Sequence, residues 1–205
     1  MIVPTLNIEE KLWKSGYYRI AGLDEVGRGA FAGPVVVGAV IFSKNCNLPE
    51  GIADSKLLKP RQREKLAIKI KECALDWTVA EIGVSLINRV GIGKGTQMAF
   101  RKAVKSLEKT PDFVLIDAFY IQHFNRKNQR AVKGGDEICV SIAAASIIAK
   151  VHRDKLMKKL HRIYPKYGFG KHKGYGTRRH QEAIKLYGLS RIHRKSFNLD
   201  KFLLT

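Results

Sequence analysis

Acidic residues are scarce in this sequence. Asp and Glu number 18 among 205 residues, against 38 Lys and Arg, for a formal net charge of +20. That excess is more than solubility needs. It suits a polyanionic partner, nucleic acid first and an anionic membrane surface second. Cysteine is scarcer still. Cys46, Cys73 and Cys139 stand far apart, with no C-x-x-C pair and no Cys/His ligand spacing. This argues against a structural zinc site and fits a reducing compartment. No apolar run approaches the roughly 18 residues of a membrane span. No basic segment followed by an apolar one opens the chain, so a cytoplasmic location without a membrane anchor is expected. Repeats and low-complexity tracts are lacking too. What is present is ordinary: 45% hydrophobic and 27% charged residues, enough for one packed domain or a domain with a small lobe.

With acids so few, their placement carries information. In Arg19-Ile-Ala-Gly-Leu-Asp-Glu-Val-Gly-Arg-Gly29, an apolar run leads into Asp24 and Glu25, then turns through Gly27, Arg28 and Gly29. Glycines there let the backbone approach a ligand closely. Phe113-Val-Leu-Ile-Asp117 repeats the pattern of a buried strand ending in a carboxylate, and Asp136 precedes a long apolar segment. Paired acids repel a phosphate unless a divalent cation lies between them.

The remaining pattern supplies a frame. Residues 1–17 read as an amphipathic lead-in with Ile8, Leu12 and Trp13 packed. Strands are predicted at Tyr18–Asp24, Pro34–Phe42, Trp77–Val84, Phe113–Asp117 and near Ala131–Gly135. Helices are predicted from Pro60 to about Asp76, from Leu86 to Lys109 with its first turns weakened by Gly91, Gly93 and Gly95, and from Ile138 to about Tyr164. The last begins small and apolar and ends basic. From Lys150 to His180 there are eleven Lys and Arg and one acid, Asp154, with Tyr164, Tyr167, Phe169 and Tyr175 interspersed. A boundary is expected near residue 150, giving a core at 18–150 and a basic lobe at 151–205. Three antiparallel-looking strands followed by alternating helices and strands make an α/β or α+β sheet with helices on its faces.

Strand ends of an open sheet can meet at one edge, where ligands bind. Asp24, Glu25, Asp117 and Asp136 converging there need cations between them, and hard oxygen donors select Mg²⁺ or Mn²⁺. Such ions can activate water and stabilise a leaving oxygen at phosphorus. Each acid alone has a plainer reading as a turn former or helix cap, Asp136 as the cap of the helix after it. The glycine loop alone is an ordinary tight turn, and the basic segment alone a solvated face. His152, His161, His172 and His180 read as phosphate contacts or neutral surface groups. Ser141 and Ser146 read as packing residues in an apolar helix.

The ordered set of motifs narrows these readings. Ala21-Gly-Leu-Asp-Glu-Val-Gly-Arg-Gly29, Asp54-Ser-Lys56, Leu115-Ile-Asp117, Gly135-Asp136, Ser141-Ile-Ala-Ala-Ala-Ser-Ile-Ile-Ala-Lys150, Arg153-Asp154, His172-Lys-Gly-Tyr-Gly-Thr177 and His193-Arg-Lys-Ser-Phe197 together resemble bacterial ribonuclease HII, the type 2 ribonuclease H family. The likeness runs from about Tyr18 to Phe197. It implies a ribonuclease H-like fold, with a mixed central sheet flanked by helices and a C-terminal helical lobe. It implies a monomeric endonuclease dependent on Mn²⁺ or Mg²⁺. Such an enzyme hydrolyses RNA in RNA–DNA hybrids and incises 5′ to ribonucleotides embedded in duplex DNA, leaving 3′-hydroxyl and 5′-phosphate ends. The family's four catalytic, metal-binding acids fall on Asp24, Glu25, Asp117 and Asp136. Its glycine-arginine-glycine element falls on Gly27, Arg28 and Gly29, which would read the ribose 2′-hydroxyl. Its stacking tyrosine falls on Tyr175, and Lys56 resembles a phosphate contact. Arg28 in the loop, and about 17 residues before the first strand, favour type HII over type HIII. His152 and Ala118 depart from residues common at those places, and neither departure removes an acid. Two other readings are a non-catalytic basic RNA-binding protein and a different nuclease of the same superfamily. The first gives no reason for acids at strand ends, and the second predicts cleavage of all-DNA substrates.

Overall fold

A computed structural model describes residues 3–53, 55 and 58–203. The N-terminal helix α1 (Asn7–Lys14) leads into strands β1 (Ile20–Val26) and β2 (Val35–Ile41). Helix α2 (Pro60–Cys73), strand β3 (Asp76–Ile82), helix α3 (Val84–Ser106) and strands β4 (Phe113–Asp117) and β5 (Gln129–Val132) follow. The chain closes with a one-turn helix α4 (Gly135–Ile138), the long α5 (Val140–Ile163), a short α6 (Phe169–His172) and α7 (Arg178–Tyr187). The sheet is mixed, in the order β3-β2-β1-β4-β5. β1 and β3 run antiparallel to β2, while β4 runs parallel to both β1 and β5.

Alternation along β1 sends Ala21 and Leu23 to one face, where they join Val114, Ile116 and Phe100 of α3 in one core. Gly22 and Asp24 point to the other face, which α5 covers. There the glycines are a steric requirement. A Cβ on Gly22 would stand 2.2 Å from the Ser141 carbonyl carbon, and one on Gly38 would stand 2.3 Å from the Ala145 oxygen. Small residues on both surfaces let α5 lie directly against β1 and β2, and Ala143, Ala144, Ala145, Ile147 and Ile148 are buried there.

Several boundaries differ from the sequence expectation. β1 continues past Asp24 to Val26, because pairing with β2 runs on through Val26 opposite Val36. β5 lies earlier, at Gln129–Val132. The helix predicted from Ile138 starts at Val140, after the separate turn of α4. α3 is broken at Gly91, whose φ of 80° is non-helical, in the stretch the three glycines mark as weak. α7 has no counterpart in the sequence reading, since Ala183 and Ile184 are its only buried apolar positions among charged neighbours. In α1, Trp13 is buried against Ile20 and Phe113, with Ile8 and Leu12 beside it.

Candidate active site

The parallel register of β1 and β4 sets Leu23 beside Ile116, so the next positions, Asp24 and Asp117, come side by side. Both point to the α5 face, while Glu25 points the other way by alternation. Asp117 accepts a 2.7 Å hydrogen bond from Gly135 N, at the first turn of α4. That bond brings Asp136, the next residue, to the same place. Gly135 is itself held close, for a Cβ there would meet Ile142 at 2.6 Å. Asp136 is not the cap of the long helix. Glu9 from α1, buried in the fold, does that work, accepting from Ser141 N at 2.9 Å.

These acids line a cleft of about 540 Å³ together with the Gly27–Gly29 loop, Ser55, Ser146, Lys150 and Tyr175. Burial raises the Asp24 carboxyl well above the usual carboxylate range, and Glu25 adds to the shift; a hydrogen bond from Ser146 works against it. Burial also raises Glu25, to about 7, with Arg28 pulling it down and Asp117 pushing it up. One oxygen of Glu25, Oε2, is buried without a hydrogen-bond partner. A buried carboxylate oxygen with no donor is costly, and a cation relieves that cost. The all-oxygen donor set suits a hard divalent ion. The acids line an open cleft and do not close a cage: among the described residues, no three His, Cys, Asp or Glu form a set able to hold an ion alone. Mg²⁺ keeps several waters and shares its coordination with substrate phosphate, so an open set accommodates it.

The glycine loop is fixed from behind. Gly27 has φ +86°, and a Cβ there would lie 1.9 Å from Arg153 Nε. Arg153 is fully buried and donates to the carbonyls of Pro34, Ala32 and Lys173 at 3.1, 3.2 and 2.9 Å. Arg194, also fully buried, donates to Gly33 O at 2.9 Å and to Arg28 O at 2.7 Å. Burial and the nearby Arg153 lower its pKa to about 9, which leaves it cationic at neutral pH. Gly29 differs from Gly27. It has no positive φ, and nothing lies within 4 Å of a Cβ built on it. Its missing side chain serves no contact within the protein. The Arg28 guanidinium lies 4.6 Å above the Phe119 ring, and Lys150 bonds Asp154 at 2.8 Å.

The family model for Ribonuclease HII matches residues 21–200. The chain belongs to the ribonuclease HII family. It is 47% identical to a ribonuclease HII of Clostridioides difficile (strain 630) over 194 residues, covering 94% of this chain and 75% of that one. It is 45% identical to that of Acholeplasma laidlawii, covering 96% of each. Among solved structures it resembles the ribonuclease H2 of Pyrococcus horikoshii OT3, with a TM-score of 0.73 and 28% identity over 90% of this chain and 98% of that one. Ribonucleases HII are metal-dependent endonucleases that hydrolyse RNA in RNA–DNA hybrids, and this chain is one of them.

Of the residues singled out in the sequence of this ribonuclease HII, Asp24, Glu25, Asp117, Asp136, Gly27, Arg28, Gly29 and Tyr175 all line the one cleft. Lys56 lies outside the described residues. The histidine reading needs correction. His180 is fully buried and His172 is half-buried, because the lobe closes over them with Phe169 and Tyr167. Exposed His152 pairs with Glu81. Ser146 is more than packing, since it bonds Asp24 and, at 3.0 Å, Ser55. The sequence reading assigned no role to Arg153, Arg194 or Lys150.

Proposed function

We propose that Asp24, Glu25, Asp117 and Asp136 are the catalytic residues and hold divalent cations, Mn²⁺ or Mg²⁺. The enzyme incises 5′ to ribonucleotides embedded in duplex DNA as well as cutting hybrids. The observation that carries this reading is the meeting of four acids in one cleft of a strongly basic chain, two of them with raised pKa values. The cations would supply positive charge that activates water and offsets charge developing at the scissile phosphate. The chain's own groups do the rest. Ser146 fixes the Asp24 carboxylate, and the Gly135 N–H fixes that of Asp117. Lys150, on the cleft wall, offers a cation to the same phosphate region.

Selection of the ribonucleotide falls to the Gly27–Gly29 loop and Tyr175. A protein distinguishes RNA from DNA at one site through the 2′-hydroxyl, which both donates and accepts. The open backbone at Gly29 can reach that group with no side chain between, and Arg28 beside it supplies charge. Tyr175, lining the same cleft, packs on the following sugar, where a second hydroxyl would crowd the ring. Lys56 serves as a phosphate contact. The basic residues of 151–205 hold the duplex by its phosphates, independent of sequence, while residues 18–150 carry the chemistry. The protein works as a cytoplasmic monomer. Its three cysteines are free, and among the described residues no helix is long and apolar enough to cross a membrane.

The test uses a DNA duplex with one ribonucleotide, labelled at its 5′ end, beside an all-DNA control. A single cut 5′ to the ribonucleotide, stopped by EDTA, is expected. Equal cutting of the control would contradict the reading.

A further inference from the structure

We infer that the buried pair His180–His193 is a positioning device that sets the turn bearing Tyr175 and links it to the Gly27–Gly29 loop. The inference rests on the role proposed for Tyr175. The two rings are fully buried in the C-terminal lobe, with their Nε2 atoms 3.0 Å apart. The protons on them can be placed from both ends. The backbone N–H of Ser190 donates to His193 Nδ1 at 2.8 Å, so that nitrogen carries no proton, and the Ser190 hydroxyl, also at 2.8 Å, then donates to it as well. A neutral His193 then has its proton on Nε2, pointing at His180. At the other end, His180 Nδ1 lies 3.0 Å from the Tyr175 carbonyl, which can only accept. His180 therefore has its proton on Nδ1 and presents a bare Nε2 to His193. The two assignments agree. One directed chain runs from Ser190 N–H through His193 and His180 to Tyr175 O.

Every ring nitrogen in that chain is used, which is what burial of two imidazoles demands. The surroundings hold the neutral forms. His180 stacks on His172 at 4.5 Å and packs against Phe169 and Phe31, and His193 packs against Tyr167 and Phe169. The titratable groups among these neighbours are His172 and Tyr167, and no carboxylate is among them. Burial depresses both histidines to about 4, consistent with a neutral pair near neutral pH. His172 joins in from the other side of the turn, accepting from Gly174 N at 3.2 Å through Nδ1.

The residue after His193 strengthens a link already made by the backbone, where Phe31 N and Ala32 N donate to Gly174 O at 2.8 and 3.2 Å. Arg194 donates its backbone N–H to Phe31 O at 2.7 Å and its side chain to Arg28 O at 2.7 Å. Adjacent residues thus reach two lining segments of the cleft, His193 the Tyr175 turn through His180 and Arg194 the Arg28 loop. A shift at His193 moves Tyr175 relative to the loop that faces the ribose. His180 and His193 act through Tyr175 and do not reach the substrate.

The test measures cleavage of the single-ribonucleotide duplex by wild type, His193→Leu and His193→Gln, each also made with Tyr175→Ala. Gln keeps an N–H donor toward His180 and Leu does not. We expect His193→Leu to lower kcat/KM about tenfold, His193→Gln to recover most of that, and His193→Leu to cost less than about twofold once Tyr175 is Ala. An equal loss in both backgrounds, or no loss in either, overturns the inference. Imidazole ¹⁵N NMR of the wild type reads the tautomers without any cleavage. A proton on Nδ1 of His180 and Nε2 of His193 supports the chain, and the reverse assignment overturns it. If wild type fails to cut the duplex, the proposed incision falls, and the NMR assignment alone decides whether the pair is built as described.

Discussion

Glu25 keeps a buried oxygen without a donor, and its pKa stands near 7 against an ordinary 4.5. The folded state without metal therefore favours the protonated acid. The stability this lends is fully present below the unfolded pKa and is lost as pH rises through about 7, on the order of 3 kcal/mol at most. In EDTA, urea unfolding should show stability falling between about pH 5 and 8. Glu25→Gln should lessen that fall without abolishing it, because the buried Asp24 carboxyl is raised too, and added Mn²⁺ should reverse it. An unchanged pH dependence in Glu25→Gln would place the titration elsewhere. The two loop glycines separate fold from function at the same scale. Gly27→Ala meets Arg153 and a positive φ, so it should unfold at lower denaturant. Gly29→Ala has open space and should melt like wild type, yet cut the single-ribonucleotide duplex roughly tenfold or more slowly, because its methyl group would lie where the proposed reading places the ribose. The acids were legible in the sequence because apolar runs ending in carboxylates are uncommon in so basic a chain. Ser146 was not, because a serine among alanines looks like packing until the Asp24 carboxylate is seen beside it. The buried histidines were misread for a related reason. In sequence they stand among lysines and arginines, and only the closing of the lobe removes them from water.

At the scale of elements, the site depends on how closely α5 approaches the sheet. Gly22 and Gly38 let helix backbone touch strand backbone, which puts Ser146 against Asp24. Gly22→Ala would force a methyl group into the Ser141 backbone, a contact that no side-chain rotation relieves. Overpacking of this kind should cost about 3 kcal/mol or more, read as a lowered urea midpoint with the slope unchanged. The order of strands and helices followed from hydrophobic period and glycine punctuation. Their ends did not, because the final residues of β1 are set by pairing with β2, which no local pattern in 20–26 reports. The cap of α5 is a further case. Glu9 reaches it from a helix about 130 residues earlier, a contact visible only in three dimensions.

For the whole molecule, the net charge is +20 and four of the 18 acids meet in one cleft, so the proposed reading assigns binding and chemistry to different residues. Hybrid affinity should fall steeply with salt, with log K linear in log salt and a slope set by the phosphates contacted. Acid variants should keep that slope, since the acids do not supply the cations that hold the backbone. The most direct measurement pairs cleavage with binding for Asp24→Asn and Asp117→Asn in Mn²⁺ or Mg²⁺, on the duplex with one ribonucleotide. Loss of cleavage by roughly a thousandfold or more, with duplex affinity within a few-fold of wild type, is predicted. Near-normal cleavage by either variant would contradict the assignment of these acids as the catalytic centre.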